Sequence, residues 1–198
     1  GVSSAASDVY KRQIYLYGNM DMEEKLAFLD EHYLSHFDYL DVDSVIQEQK
    51  AFGACRDVTL EYPVAENEGE EDNTYLSYNM VVGNAADSQM AMAFEVLDYA
   101  LLSAPGAPLK QALLDVKAGK DVYGSYDDGI LQPYFTVIAK GSNPDRKEEF
   151  VSVIRQVLGD IVKNGIDRKA VEAGINYFEF RYREADFSSY PKGLMYSC

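Results

Sequence analysis

The chain has 198 residues, 47% of them hydrophobic and 13% aromatic, enough apolar material for a folded core at this length. Its formal charge of −15 argues against nucleic acid or an anionic membrane as partner, and no apolar run approaches the length of a membrane span. Only Cys55 and Cys198 are present, too few for a disulfide scaffold and in keeping with a reduced, cytoplasmic compartment.

Residues Ser3 to Gln13 (SSAASDVYKRQ) coincide with the codon-by-codon translation of a transposase-based sequencing adapter, so residues 1–13 are set aside as a non-native scar. The native sequence is then expected to start abruptly at Ile14, inside a strand, and to be a piece of a longer gene product cut again at Cys198. Ile14–Gly18 reads as a short strand. Asp21 caps a helix, with Glu24 in the capping-box position, and Leu26, Leu29, Tyr33 and Phe37 line one face at helical spacing. Residues 38–55 read as a linker.

Val58, Leu60 and Tyr62 alternate with Asp57, Thr59 and Glu61, which predicts a strand with one wet face. Leu76, Tyr78, Met80 and Val82 repeat the pattern in a second strand. Between them Glu66, Glu68, Glu70, Glu71 and Asp72 form a self-repelling, solvated loop. Met90, Phe94, Leu97 and Leu101 mark a helix that ends at Ser103, where Pro105, Gly106 and Pro108 build a turn. A second short helix leads into strands near 121–126 and 134–140, joined through Asp127, Asp128 and Gly129. Pro144 is placed as the first residue of a long helix capped by Asn143 and ended by Gly165, with Phe150, Ile154, Val157 and Ile161 as its core face. Asp167 caps the last long helix, whose face is Val171, Ile175, Phe178 and Tyr182; Phe135 is expected to be buried against Ile154 and Phe178. Hairpin strands alternating with helix pairs give an α+β fold, an antiparallel or mixed sheet with helices packed on one face.

Candidate chemistry is sparse. His32 and His36 stand four apart, the spacing of a zinc pair in H-E-x-x-H, but Tyr33 occupies the place of the general base and no third ligand is near. The inverted motif H-x-x-E-H is absent from the chain. The acidic run 66–72 lacks the ligand register of a calcium loop. Gly83-Asn84-Ala85-Ala86-Asp87 precedes a helix, yet one glycine and an aspartate cap make a turn, not a phosphate cradle. Cys55 beside Arg56 has no histidine close in sequence to make it a nucleophile. The sixteen tyrosines include Tyr75 and Tyr78, ordinary strand residues that equally suit a peptide-binding surface. No catalytic, cofactor-binding or metal-ligating residue is assigned.

The stretch Leu102-Ser103-Ala104-Pro105-Gly106-Ala107-Pro108-Leu109, then Leu131-Gln132-Pro133-Tyr134-Phe135, resembles the second domain of the presequence-protease branch of the insulinase-like, pitrilysin-type zinc metallopeptidases. Tyr17-Gly18-Asn19 with Asp21, Glu61-Tyr62-Pro63, Asp167 through Glu172 (DRKAVE) and Ser189-Tyr190-Pro191-Lys192-Gly193-Leu194 agree in order, so the resemblance covers nearly all of 14–196. It implies that residues 14–37 are the tail of a preceding catalytic domain and 56–198 a second, non-catalytic domain, truncated at its end. It further implies a parent that cleaves oligopeptides with zinc, which polarises the peptide carbonyl and activates water, while a glutamate serves as base. The ligands would lie before Ile14, in an H-x-x-E-H motif about two hundred residues upstream. The second domain would form chamber wall, in contact with the preceding domain and with a C-terminal half. The alternative is a core-type subunit of a related complex, serving assembly only. A bacterial, cytoplasmic protein is the expectation.

Overall fold

The sheet is built where apolar residues alternate. In the computed structural model, which describes residues 14–39, 45–65, 69–184 and 190–197, three strands are ordered: β1 (Thr74–Val81), β2 (Asp121–Asp127) and β3 (Tyr134–Ser142). Both outer strands run antiparallel to the central β3, in the order β1-β3-β2. The register places Leu76, Tyr78 and Met80 opposite Ala139, Val137 and Phe135, and these opposite Val122, Gly124 and Tyr126. One face of the sheet is therefore the apolar set, as the two-residue period of a strand requires.

Helices cover that face. They are α2 (Ser88–Asp98), α3 (Pro108–Asp115) and α4 (Lys147–Asn164), with α5 (Arg168–Glu184) following. Their buried side chains Leu109, Leu113, Phe150 and Ile154 join Leu76, Val122, Phe135, Val137 and Ala139 in one core. Phe135 is buried in this core together with Ile154, and its aromatic neighbour is Phe94 of α2, with ring centroids 6.2 Å apart. Phe178, expected beside it, is not a member of the core and packs its ring against Tyr177. The α+β expectation holds.

Helix α2 continues into a five-residue π turn, Tyr99–Ser103, closed where the N–H of Ala104 donates to the Tyr99 carbonyl at 2.7 Å. Three consecutive residues of this turn, Ala100, Leu101 and Leu102, are buried, and Leu101 and Leu102 belong to the core. Pro105 and Gly106 (φ +73) then reverse the chain, and Pro108 opens α3.

Several local expectations differ from what is observed. Ile14–Gly18 forms no strand; residues 14–17 have no regular structure and the chain bends at Gly18. Residues 56–62 also form no strand. They have no ladder partner among the described residues, and Val58 and Leu60 are 69% and 84% exposed. Asp57 is held by an ion pair with Lys147, and the Tyr62 hydroxyl donates to the Asn73 carbonyl. Pro144 opens a 3-10 turn (Pro144–Arg146), so α4 starts at Lys147, and Asn143 makes no capping bond because its amide is taken by Asp72. Asp167 accepts from the N–H of Lys169 at 3.0 Å, and Gly165 (φ +83) ends α4.

Two compact units divide the chain: Glu48–Phe180, and the stretches on either side of it. The second unit holds α1 (Met22–His32), the 3-10 turn Leu34–His36 and α6 (Lys192–Ser197). Asp21 caps α1 by accepting from the N–H of Glu24 at 3.1 Å. The expected face of Leu26, Leu29, Tyr33 and Phe37 is present, but no residue of α1 is buried.

Candidate functional site

A concavity of about 550 Å³ lies where the start of β1 and β2 meets the end of β3. Tyr62–Ala65 form one wall; Asp72, Tyr75, Lys120 and Lys140 contribute the polar and aromatic groups. Asp72 adopts a positive φ of 57°, uncommon for a side chain-bearing residue, and its surroundings hold it there. Its N–H donates to Asn143 Oδ1 at 2.9 Å, and Asn143 Nδ2 donates to Asp72 Oδ1 at 2.7 Å. Lys120 Nζ stands 3.3 Å from the other carboxylate oxygen. The Asn143 amide, then Lys120, keep the Asp72 carboxyl below the ordinary carboxylate range. Lys140 lies over the Tyr75 ring at 5.8 Å, and Tyr62 meets Tyr75 edge to face at 5.9 Å. Each charge is thus engaged with a neighbour, and the groove holds no nucleophile-base pair or convergent set of ligands.

The histidines are not brought together as a ligand pair. His32 is the last residue of α1 and its ring lies tilted against Phe28, centroids 4.5 Å apart; the helix stops at Tyr33, and His36 belongs to the separate 3-10 turn. The regular four-residue alignment that a zinc pair needs is therefore broken. Among the described residues no group of three or more His, Cys, Asp or Glu is placed to hold a metal ion, so the donor set does not fit zinc. Cys55 is exposed, and the neighbouring Arg56 guanidinium lies 3.8 Å from the centre of the Phe52 ring. In the turn before α2, Asn84 accepts from the N–H of Ala86 and Asp87 from that of Met90, so donors an anion would use are occupied. Tyr75 points away from the core and Tyr78 is half-buried towards it. Residues 66–68 of the acidic run lie outside the described residues.

One polar group was missed at the sequence level. Asp98 ends α2 against β2; its Oδ2 accepts from the Ser103 hydroxyl at 3.3 Å, while Oδ1 is buried without a hydrogen-bond partner. Burial pushes this carboxyl above the ordinary carboxylate range, against a smaller opposing effect of Ser103. The visible mark is a lone charge inside the apolar run Val96-Leu97-Asp98-Tyr99-Ala100-Leu101-Leu102.

Known proteins match this arrangement. The family profile described as "Peptidase M16 inactive domain" matches residues 13–178. Protein HypA of Clostridium perfringens is 44% identical over 183 residues, covering 92% of this chain and 19% of that protein. Presequence protease 1, chloroplastic/mitochondrial, of Arabidopsis thaliana is 30% identical over 186 residues, covering 92% and 17%. The chain therefore spans about a fifth of the length of these curated relatives. The solved inactive peptidase domain of a protein described as a zinc protease from Bordetella parapertussis shares the fold, with a TM-score of 0.50 at 12% identity over 58% of this chain and 62% of that one.

Proposed function

The chain belongs to the peptidase M16 inactive-domain family, and on that footing we propose that it is a non-catalytic, chamber-forming domain of a zinc-dependent endopeptidase that degrades oligopeptides. The family is one of metallopeptidases, and this domain is its inactive type. The observation that carries the reading is the match of this inactive type to most of the chain. Zinc and its ligands then belong to a domain before Ile14, and residues from about Arg56 onward supply wall rather than chemistry. Peptide substrates reach this domain only through the parent, which also brings the preceding domain and a C-terminal half against it. The assembly-only alternative is less favoured, since the plant relative carries the name of a protease.

A cytoplasmic, bacterial parent suits the 44% identity to the clostridial protein. No helix among the described residues is long and apolar enough to cross a membrane. The test is to recover the full gene and assay its purified product on a quenched peptide. An upstream H-x-x-E-H motif, with turnover abolished by chelation and restored by zinc, is the expected result; a full gene without such a motif, whose product is inactive with zinc, would reject the proposal.

A further inference from the structure

The groove beside Tyr75 has a cation to spare. Lys110 pairs with Asp121 and Lys120 with Asp72, each at 3.3 Å, which accounts for both aspartates. Lys140 stands between Tyr75 and Asp121 in the register of the sheet, on the side away from the helices. No carboxylate of the described residues lies within 4.0 Å of its ammonium, whose neighbour is the Tyr75 ring. A ring face attracts the charge but takes none of the ammonium's conventional hydrogen bonds, so its N–H donors remain for an anion.

The surrounding backbone holds these groups in place. The Lys120 N–H donates to the Lys140 carbonyl at 2.8 Å, which sets the two lysines side by side. The Lys120 stem crosses Gly141 (φ +69), where a Cβ would be 3.0 Å from its Cβ, Cγ and Cδ. Its ammonium is then docked at Asp72, which Asn143 grips through both backbone and side chain. Tyr62 and Tyr75 are 49% and 47% exposed and, with Val64, give the groove an apolar wall; the Tyr62 hydroxyl is committed to the Asn73 carbonyl.

We propose that this groove binds the C-terminal end of a peptide, with the terminal carboxylate on Lys140 and an apolar last side chain against Tyr62, Val64 and Tyr75. The choice of a peptide rests on the reading of the chain as wall of a peptide-degrading chamber. One free ammonium beside an apolar wall matches the one charge that a C-terminus carries next to its last side chain. In a chain of charge −15 most of the surface repels an anion, and this groove is a place where lysines outnumber aspartates. A phosphate group, with roughly two charges, would want a second free cation, and Lys120 is committed to Asp72. A volume of about 550 Å³ takes a ligand's end rather than a folded partner.

Fluorescence polarisation on the purified chain tests this, with a short N-terminally labelled peptide ending in phenylalanine and the same peptide as its C-terminal amide. The free acid is expected to bind at least about fivefold more tightly than the amide, as a partly sheltered ion pair allows. Lys140→Gln should abolish that preference, Lys140→Arg should keep it, and Lys163→Gln on α4 should leave it unchanged. Thermal midpoints of the variants check that each is folded. Acetate should compete with the peptide at least as well as inorganic phosphate does. No binding of either peptide, equal affinity for acid and amide, a preference that survives Lys140→Gln, or displacement by phosphate but not acetate overturns the proposal. Peptidase assays on the full-length parent keep the two readings apart. An active parent whose isolated domain shows no acid preference sinks this proposal alone; an inactive parent whose domain shows it sinks only the peptidase reading.

Discussion

Gly124 shows how one missing side chain organises this core. It sits opposite Val137 on the covered face of the sheet, and the space above it is filled by Leu102 and Asp98. A Cβ there would run into Leu102 Cδ1 and lie 2.7 Å from Asp98 Oδ1 and 3.0 Å from the Thr136 carbonyl. Leu102 is fully buried and has nowhere to move, so Gly124→Ala should lower stability by about 1–3 kcal/mol in urea unfolding, the usual cost of overpacking. Phe135 makes the opposite case: truncation to Ala removes a buried ring and should cost about 3–5 kcal/mol. A change below about 1 kcal/mol would place Phe135 on the solvent side.

Asp98 adds a pH dependence to the same spot. Its folded-state pKa is raised by burial, so as pH rises the unfolded chain gives up this proton first. Stability is thus favoured at low pH, falls through the window between the unfolded and folded pKa values, and stays lower above it. Asp98→Asn keeps the shape and removes the titration. Unfolding midpoints measured from acid to neutral pH should therefore fall less in the variant than in the unsubstituted chain. An unchanged difference between the two across that range would show that the carboxyl is not buried as described.

At the scale of elements, packing is decided by close approach. Helix α5 meets the end of α2 through Gly174, where a Cβ would be 3.1 Å from Val96 Cγ1 and 3.2 Å from Tyr99 Cδ1, and through the stacked Tyr99 and Tyr177 rings at 5.0 Å. Gly174→Leu should push the helix away and cost about 1–3 kcal/mol. Gly159, inside α4, has open space where a Cβ would stand, with no atom within 4 Å, so Gly159→Ala should stabilise by about 0.5–1 kcal/mol through helix propensity alone. Thermal unfolding of the two variants should shift in opposite directions.

The same elements mark what a sequence can reveal. β1, β2 and β3 were legible because alternation was bounded by turn residues, and the proline turn after Ser103 because a locked φ stops a helix regardless of context. Residues 56–62 alternate just as well, yet no neighbouring strand pairs with them among the described residues. Alternation states which face is apolar; it does not supply an edge to bond to. Asn143 carries a good capping side chain, but a distant Asp72 claims it, a competition visible only in three dimensions. The π turn is likewise hidden, as is the close approach of Leu102 to Gly124 that accompanies it. For the site, the separation of His32 and His36 turned on a helix stopping at Tyr33, which the apolar stripe through Phe37 had masked.

For the molecule as a whole, the family match is to an inactive peptidase domain, over residues 13–178. The sheet and its helices form a folded unit with a broad groove, engaged surface charges and no metal-binding group among the described residues. The most direct test is to incubate the purified chain with a quenched oligopeptide substrate, with and without added zinc. A non-catalytic domain should give no turnover above the buffer rate in either case. Zinc-dependent cleavage that disappears when His32 or His36 is replaced by alanine would contradict that assignment.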